Sequence, residues 1–251
     1  MLISIHTRRQ LFLALVVSLF VCFGASFRTV HAQGVCGSNC PGSRCNAVGV
    51  LSESQTHLRG IWAGIDVATP QIRTPYSWSL MRVAVRANCA HPDGNCFGEV
   101  GWIKSDCFTN PNNPCPTLPY GSWKMQERHV VIRQNPNGYW IWDVANAGVG
   151  TQHQYMLEKD NNSVGWRAFI DGTLISGFWT GFSVPAEGWA GGEVPNPPSN
   201  AMGVSGHYNV KYMDTNRVWH YVNGAYTPWE EHPAYHVAPI SSSSWQVYGC
   251  N

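Results

Sequence analysis

The stretch RHVVIRQNPNGYWIWDV, residues 128–144, decides the fold class. It contains two runs rich in aromatic and β-branched residues, Arg128–Arg133 and Tyr139–Val144, joined by Asn135-Pro136-Asn137-Gly138. Runs of this composition favour β-strands, and a short connection that contains Asn and Gly is typical of a β-hairpin. We therefore expect an antiparallel strand pair here.

The same pattern continues on both sides of this hairpin. Turn-forming residues recur at intervals of roughly 8–12 residues, and no segment after residue 32 shows a sustained helical period. The other strand runs are Arg82–Arg86, His153–Glu158, Trp166–Ile170, Thr173–Phe178, His207–Met213, Val218–Val222 and Trp245–Tyr248. The sequence predicts an all-β fold, an antiparallel β-sandwich of two packed, curved sheets of the jelly-roll or concanavalin-like type. A single domain over residues 60–251 is expected.

The first 32 residues have the features of a secretory signal peptide. Arg8 and Arg9 precede the apolar run Leu11–Ala25, and Val30-His31-Ala32 is a cleavage site of the small-x-small kind. Either the twin-arginine or the general export route would fit. We expect a secreted, extracellular protein with no membrane contact after cleavage, in which residues 33–59 form an irregular, Cys-rich lead-in.

The charge of the chain is low and nearly balanced. It has 16 basic and 15 acidic side chains, and Arg8, Arg9 and Arg28 leave with the predicted signal, so the remainder is slightly acidic. A nucleic-acid-binding protein would present a basic face, so nucleic acid is not an expected partner.

Nine cysteines are present, of which Cys22 lies in the predicted signal. An even number remains in an exported chain, which favours disulfides. Close spacing suggests the pairs Cys89–Cys96 and Cys107–Cys115, so that Cys36, Cys40, Cys45 and Cys250 pair among themselves. A zinc site at the first three of these lacks the usual C-x2-C unit.

Two glutamates stand among glycine and tryptophan: Glu193 in Gly188–Val194 and Glu99 in Gly98–Trp102. The glycines let backbone or ligand approach closely, and an apolar wall such as Trp189 raises a carboxyl pKa. If both glutamates face one cleft, one carboxylate can activate water while the other, protonated, donates a hydrogen bond to the developing oxyanion. A solvated glutamate in a turn is the alternative for each of them.

The motifs around these glutamates resemble the neprosin family of secreted glutamic peptidases. The resemblance covers residues 60–213 and rests on Glu99-Val100-Gly101-Trp102, Gly191-Gly192-Glu193-Val194, Met202-Gly203 and Ser205-Gly206-His207-Tyr208. Ile61-Trp62-Ala63-Gly64-Ile65 also resembles the opening of the fungal glutamic peptidases, which are related β-sandwiches.

This resemblance implies that Glu99 and Glu193 are the catalytic pair and that the substrate is a peptide or protein. Hydrolysis would proceed through activated water without a metal, cofactor or covalent intermediate, at acidic pH and after proline as in plant members. The chain departs from those members in three ways: only the short segment 33–59 is expected between the signal and the sandwich, where plant members carry an activation domain, the cysteine arrangement differs, and Val204 interrupts the Met-Gly-Ser-Gly run.

Other residues are weaker candidates. Trp62, Trp102 and Trp189 could line a substrate cleft, although tryptophans are more often part of a core. The histidines lack metal-ligand spacing except at His232-x3-His236, and adjacent Glu230 and Glu231 are expected to be solvated. We expect no metal, and a monomer.

Two other functions remain open. A glycoside hydrolase of the lectin-like sandwich type would also use two carboxylates, with tryptophans stacked on sugar rings. A non-catalytic secreted module that binds carbohydrate or a surface would use Glu99 and Glu193 only structurally.

Overall fold

Fifteen β-strands and one short helix occur in the residues that the computed structural model describes, which are 44–72, 77–105, 126–161, 165–195 and 201–250. These residues belong to one unit, 33–251. The strands are β1 Arg44–Ser52, β2 Gly60–Asp66, β3 Trp78–Asn88, β4 Asn95–Ser105, β5 Glu127–Asn135, β6 Gly138–Asn146, β7 Gln152–Lys159, β8 Gly165–Ile170, β9 Thr173–Trp179, β10 Glu187–Pro195, β11 Ser205–Met213, β12 Trp219–Tyr221, β13 Thr227–Glu230, β14 Tyr235–Ser241 and β15 Ser244–Gly249. The helix, α1, spans Glu53–Thr56. No helix in these ranges has the length and apolar character needed to cross a membrane.

The strands form two antiparallel sheets, which confirms the predicted β-sandwich. One sheet has seven strands in the order β13-β1-β10-β3-β4-β5-β6. The other has eight strands, in the order β14-β15-β11-β2-β7-β8-β9, with β12 paired to β11.

The hairpin at residues 128–144 is confirmed. β5 and β6 pair in antiparallel register from Arg128↔Asn146 to Asn135↔Gly138. The further pairs β7–β8, β8–β9 and β11–β12 also form across the predicted turns.

Side chains on each strand alternate between the inter-sheet core and the outer face. In β3, Met81, Val83 and Val85 are buried in the core, whereas Leu80 belongs to a separate cluster on the outer face. This alternation places Arg82 and Ala84 on the outer face as well. The outer face of the seven-stranded sheet is therefore apolar in part and also carries charged groups.

The lead-in segment differs from its prediction. Residues 44–52 are not irregular but form β1, which pairs along its whole length with β10 and on its other side with β13. The alternation is concealed in sequence because the core-facing positions of β1 are small, as Cys45 and Ala47 show. Residues 1–43, including the predicted signal, lie outside the described residues.

The predicted Cys89–Cys96 disulfide is confirmed. Cys45 and Cys250 each take part in a disulfide bond as well. Cys36, Cys40, Cys107 and Cys115 lie outside the described residues, so their pairing stays a prediction.

Candidate active site

A cleft of about 490 Å³ lies on the outer face of the seven-stranded sheet and contains both predicted glutamates. Glu99 comes from β4 and Glu193 from β10, the two strands that flank β3. Both side chains are nearly inaccessible, with Glu99 4% and Glu193 2% exposed. The fold thus brings together two carboxyl groups that lie far apart in sequence.

Arg82 of β3 joins the two carboxyl groups. Its Nε atom lies 2.8 Å from Glu99 Oε1, and its Nη2 atom contacts Glu193 Oε2. Arg82 is 1% exposed, so this cation is held within the protein by its two anionic partners. The glutamates therefore face one cleft, as the sequence predicts, and meet through a guanidinium group that lies between them.

Two glycines of the motifs around the glutamates lie beside Arg82 and allow close packing of the strands. Gly101 of β4 and Gly191 of β10 are its cross-strand neighbours on either side. A Cβ atom on Gly101 would lie 1.9 Å from the Met81 carbonyl oxygen, and one on Gly191 would lie 2.3 Å from the Ala47 carbonyl oxygen. Any side chain at either position would force the strands apart, so the glycines allow the close strand packing beneath Arg82.

The first strand supplies further polar groups to the cleft. Arg44 Nη1 lies 3.0 Å from Glu193 Oε1, so Glu193 contacts two guanidinium groups. Arg82 Nη2 also donates to Asn46 Oδ1 at 3.1 Å. Asn46 in turn donates from its backbone N and its Nδ2 to Glu231 Oε2, at 2.9 and 2.8 Å.

The sequence did not indicate these partners. Glu231 was expected to be solvated, but it lies at the cleft and is bonded to Asn46. Arg44 and Asn46 lie in the segment expected to be irregular. Of these residues, only Arg82 could have been identified from the sequence as part of the site. It is a charged residue in the middle of a strand with apolar neighbours, and a buried charge requires a charged partner.

The surroundings of Glu99 raise its pKa to about 7. Burial is the largest cause, and the charge of Glu193 acts in the same direction. Arg82, and to a smaller extent Arg44 and Arg86, act in the opposite direction. The Glu99 carboxyl group is therefore protonated in mildly acidic solution, where an ordinary glutamate would be ionised.

The space around the glutamates has two parts with different chemistry. The larger part, the basin, is the 490 Å³ cleft, and the polar and aromatic groups along it include Arg86, Asn95, Gln134, Trp189, Trp229 and Glu231. The smaller part, the slot, has a volume of about 40 Å³ and is lined by Trp78, Leu80, Ile103, Ser105, Ile132, Tyr139 and Ile141. Arg44, Glu99 and Glu193 line both parts, so the carboxyl groups lie where the basin and the slot meet.

The three tryptophans predicted to bind substrate lie in three different parts of the fold. Trp189 lines the basin, with Arg86 over its ring at 4.1 Å from the centroid and its indole N–H donating to Glu187. Trp102 is fully buried in the inter-sheet core and donates to the Asp66 carbonyl oxygen. Trp62 lies on the eight-stranded sheet beside Lys211. The structure thus corrects the expectation that Trp62 and Trp102 line the cleft.

The histidine of the Ser205-Gly206-His207-Tyr208 motif lies next to β10, the strand that carries Glu193. His207 of β11 is fully buried, and burial is the largest cause of the fall of its pKa to about 3. The backbone of Gly191 raises this pKa, in the direction opposite to burial, so the His207 ring lies close to β10. No group of three His, Cys, Asp or Glu side chains that could hold a metal ion occurs among the described residues.

The sequence matches no family model and no curated protein. Among solved structures, it is similar to scytalido-glutamic peptidase bound to a transition state analog inhibitor. That match has a TM-score of 0.55 at 7% identity and covers 82% of this chain and 98% of the other. It is also similar to SCP-B, a member of the eqolisin family of peptidases in complex with the tripeptide Ala-Ile-His, with a TM-score of 0.51 at 7% identity, covering 84% and 99%.

A family 16 glycoside hydrolase, an endo-glucanase from Bacteroides ovatus, matches with a TM-score of 0.32 at 15% identity over 55% of each chain. A likeness at that score supports no conclusion. The two peptidase matches define the fold class: the chain has a glutamic peptidase-like fold.

Proposed function

We propose that the protein is a secreted glutamic peptidase, which hydrolyses peptide bonds with Glu99, Glu193 and an activated water molecule. The observation that carries the proposal is that two buried glutamates meet at one arginine inside a cleft. Carboxyl groups that share a cleft but differ in their surroundings are the usual basis for dividing acid and base roles.

In this proposal Glu193 is the general base. It contacts Arg44 and Arg82, and as a carboxylate it takes a proton from the water that attacks the carbonyl carbon of the substrate. Glu99, whose pKa is raised to about 7, is protonated in acid and donates a hydrogen bond to the oxygen that becomes negative. When the C–N bond breaks, Glu193 returns its proton to the leaving nitrogen, which leaves a carboxylic acid and an amine.

The shape of the cleft is suited to an extended peptide. The basin and the slot lie on different sides of the carboxyl groups, so that a chain across them would have the scissile bond beside Glu99 and Glu193. The slot is apolar and small, which favours a small apolar side chain next to the cleaved bond. The neprosin-like motifs make cleavage after proline one preference to test.

Secretion is part of the proposal. The predicted signal at residues 1–32 supports it, and the Cys89–Cys96 disulfide agrees with an oxidising compartment.

The test is hydrolysis of a denatured protein between pH 2 and pH 7 by the secreted protein and by its variants Glu193→Gln, Glu99→Ala and Glu99→Gln. We expect cleavage in acid that Glu193→Gln and Glu99→Ala abolish, while circular dichroism shows that each variant remains folded. Cleavage that survives either of these two changes would remove the proposed pair. Mass spectrometry of the fragments then reports the preferred cleavage site, including any preference for proline.

Glycoside hydrolysis is a weaker candidate because the aromatic floor that it needs is not free. Trp189 is 4% exposed, with Arg86 over its ring and Trp229 packed edge to face at 4.9 Å. Release of sugar from polysaccharides in the same assay, without proteolysis, would favour it over the peptidase.

A further inference from the structure

We propose that Asn46 is a positioning residue that, together with Glu231, holds the Arg82 guanidinium in the orientation in which one edge faces both glutamates. The inference rests on the proposed function, because it concerns how the same two glutamates are arranged. It adds two residues of the basin wall, which act on Glu99 and Glu193 through Arg82.

The hydrogen bonds fix which way the Asn46 amide points. A carboxylate only accepts hydrogen bonds and a guanidinium only donates them, so an amide between the two has one possible orientation. The Asn46 Nδ2 group donates to Glu231 Oε2 at 2.8 Å, and its Oδ1 atom accepts from Arg82 Nη2 at 3.1 Å. The opposite orientation would place two donors, and two acceptors, against each other.

Glu231 is itself fixed to Asn46 by the backbone. Its N–H donates to the Asn46 carbonyl oxygen at 3.0 Å, and its Oε2 atom accepts the Asn46 backbone N–H at 2.9 Å. With the side-chain bond, three hydrogen bonds join the two residues. Glu231 follows β13, so this edge strand positions an acceptor for the neighbouring β1.

Arg82 needs such an anchor. Its Nε and Nη2 atoms form one edge of a planar group and face Glu99 and Glu193, respectively. Its Nη1 atom is buried and has no hydrogen-bond partner within the described part of the chain. Asn46 Oδ1 is therefore the neutral acceptor that stops the guanidinium from rotating fully onto one glutamate. If it rotated, Glu99 and Glu193 would no longer face the same substrate atom.

The first test compares Asn46→Ala with Glu230→Gln as the matched control. Glu230 is the adjacent acid, but its carboxylate accepts from the Val237 N–H on the other side of the strand. We expect Asn46→Ala to lower kcat by roughly tenfold with KM nearly unchanged, because a buried donor loses its acceptor. Glu230→Gln should leave both constants at the wild-type value. An unchanged kcat in Asn46→Ala, with only a lower Tm, would overturn the positioning role.

The second test uses the fact that the side chain at position 46 must both donate a hydrogen bond to Glu231 and accept one from Arg82. Glu231→Gln keeps an acceptor for Asn46 and should retain most of the activity. Asn46→Asp supplies both a donor and an acceptor while its new carboxyl group is protonated, but only acceptors once it ionises beside Glu193 and Glu231. Its kcat relative to wild type should therefore be highest in acid and decrease as pH rises. A pH-independent ratio would contradict the dual requirement.

A third readout does not require peptidase activity, so failure of the proposed function can be told apart from failure of this inference. The charged or titratable groups around Glu99 are Arg82 and Arg86 of β3, Arg44 of β1, Glu193 of β10 and Tyr139 of β6. Movement of Arg82 changes the proton affinity of Glu99, and hence the pH at which the Tm of the folded protein decreases. We expect Asn46→Ala to move that pH by at least about half a unit, whereas Glu230→Gln leaves it in place. A Tm lowered equally at every pH would mean that Asn46 only supports the fold.

Discussion

Glu99 and Glu193 lie on one sheet face with a single strand between them, yet their surroundings differ. Glu193 of β10 has Asn46 beside it in β1 and contacts two arginines, Arg44 and Arg82. Glu99 of β4 has Ile132 beside it in β5 and, among the described residues, forms an ion pair with Arg82 only. The same side chain thus has two cations and an amide beside it on one strand, and one cation and an apolar side chain beside it on the other. The difference shows how neighbouring strands, rather than residue type, can assign the base role to one glutamate and the acid role to the other.

The largest effect that follows from this contrast is expected at Glu193. Glu193→Gln removes the group that would accept the proton of water, so kcat/KM should fall by about a thousandfold or more. Steady-state hydrolysis of a peptide at acidic pH measures this loss, with Glu230→Gln as a control of equal charge change. A loss below tenfold would mean that Glu193 is not the base.

The next effect concerns the cation that both surroundings share. Arg82→Met leaves two buried carboxyl groups near each other without the bridging charge, which should cost about 3–5 kcal/mol of unfolding free energy at neutral pH. The loss should be smaller at acidic pH, where a protonated Glu99 needs no cation. Urea denaturation at both pH values measures the difference. An equal loss at both would show that packing, rather than charge, is the contribution of Arg82.

A third prediction separates the two ways in which Glu99 can be replaced. Glu99→Ala removes the hydrogen-bond donor and should lower kcat by about a hundredfold or more. Glu99→Gln keeps a neutral donor of similar shape, so we expect it to retain a measurable part of the activity. Because Glu99 must be protonated and its pKa is about 7, wild-type activity should disappear as pH rises through that value. The decrease should be absent in Glu99→Gln, and its persistence there would assign it to another group.

Much of this arrangement could be predicted from sequence because it depends on local patterns. The turn at Asn135–Gly138 and the alternation in Arg82–Arg86 are local, and both are present in the structure. The alternation of side chains along a strand could also have shown which tryptophans share a face with the glutamates. Trp102 lies three residues from Glu99 and so faces the opposite side of the strand, whereas Trp189 lies four residues from Glu193 and shares its face.

The partners of the glutamates could not be predicted, because they depend on pairing between distant segments. Arg44 and Glu193 are 149 positions apart, and Asn46 and Glu231 are 185 apart. Their encounter requires β1 to pair with both β10 and β13, and small residues on the core side of β1 conceal its pattern. Glu231 was predicted to be solvated because adjacent acids on a strand point to opposite faces. That argument does not reveal that one of the two faces borders a cleft.

The smallest expected effect is on stability, and it measures the surroundings of Glu99 without any substrate. Its pKa is about 7 in the folded protein and 4.5 as an ordinary value, so the folded state holds a proton more tightly. This contribution to stability is complete below about pH 4.5 and is lost as pH rises through about 7. Glu99→Gln resembles the protonated form at every pH. Its Tm should therefore equal that of wild type near pH 4 and exceed it by several degrees near pH 8. A variant less stable than wild type at pH 8 would show that the Glu99 carboxylate is stabilised by Arg82 more strongly than it is penalised by burial, which would reverse the contrast with Glu193.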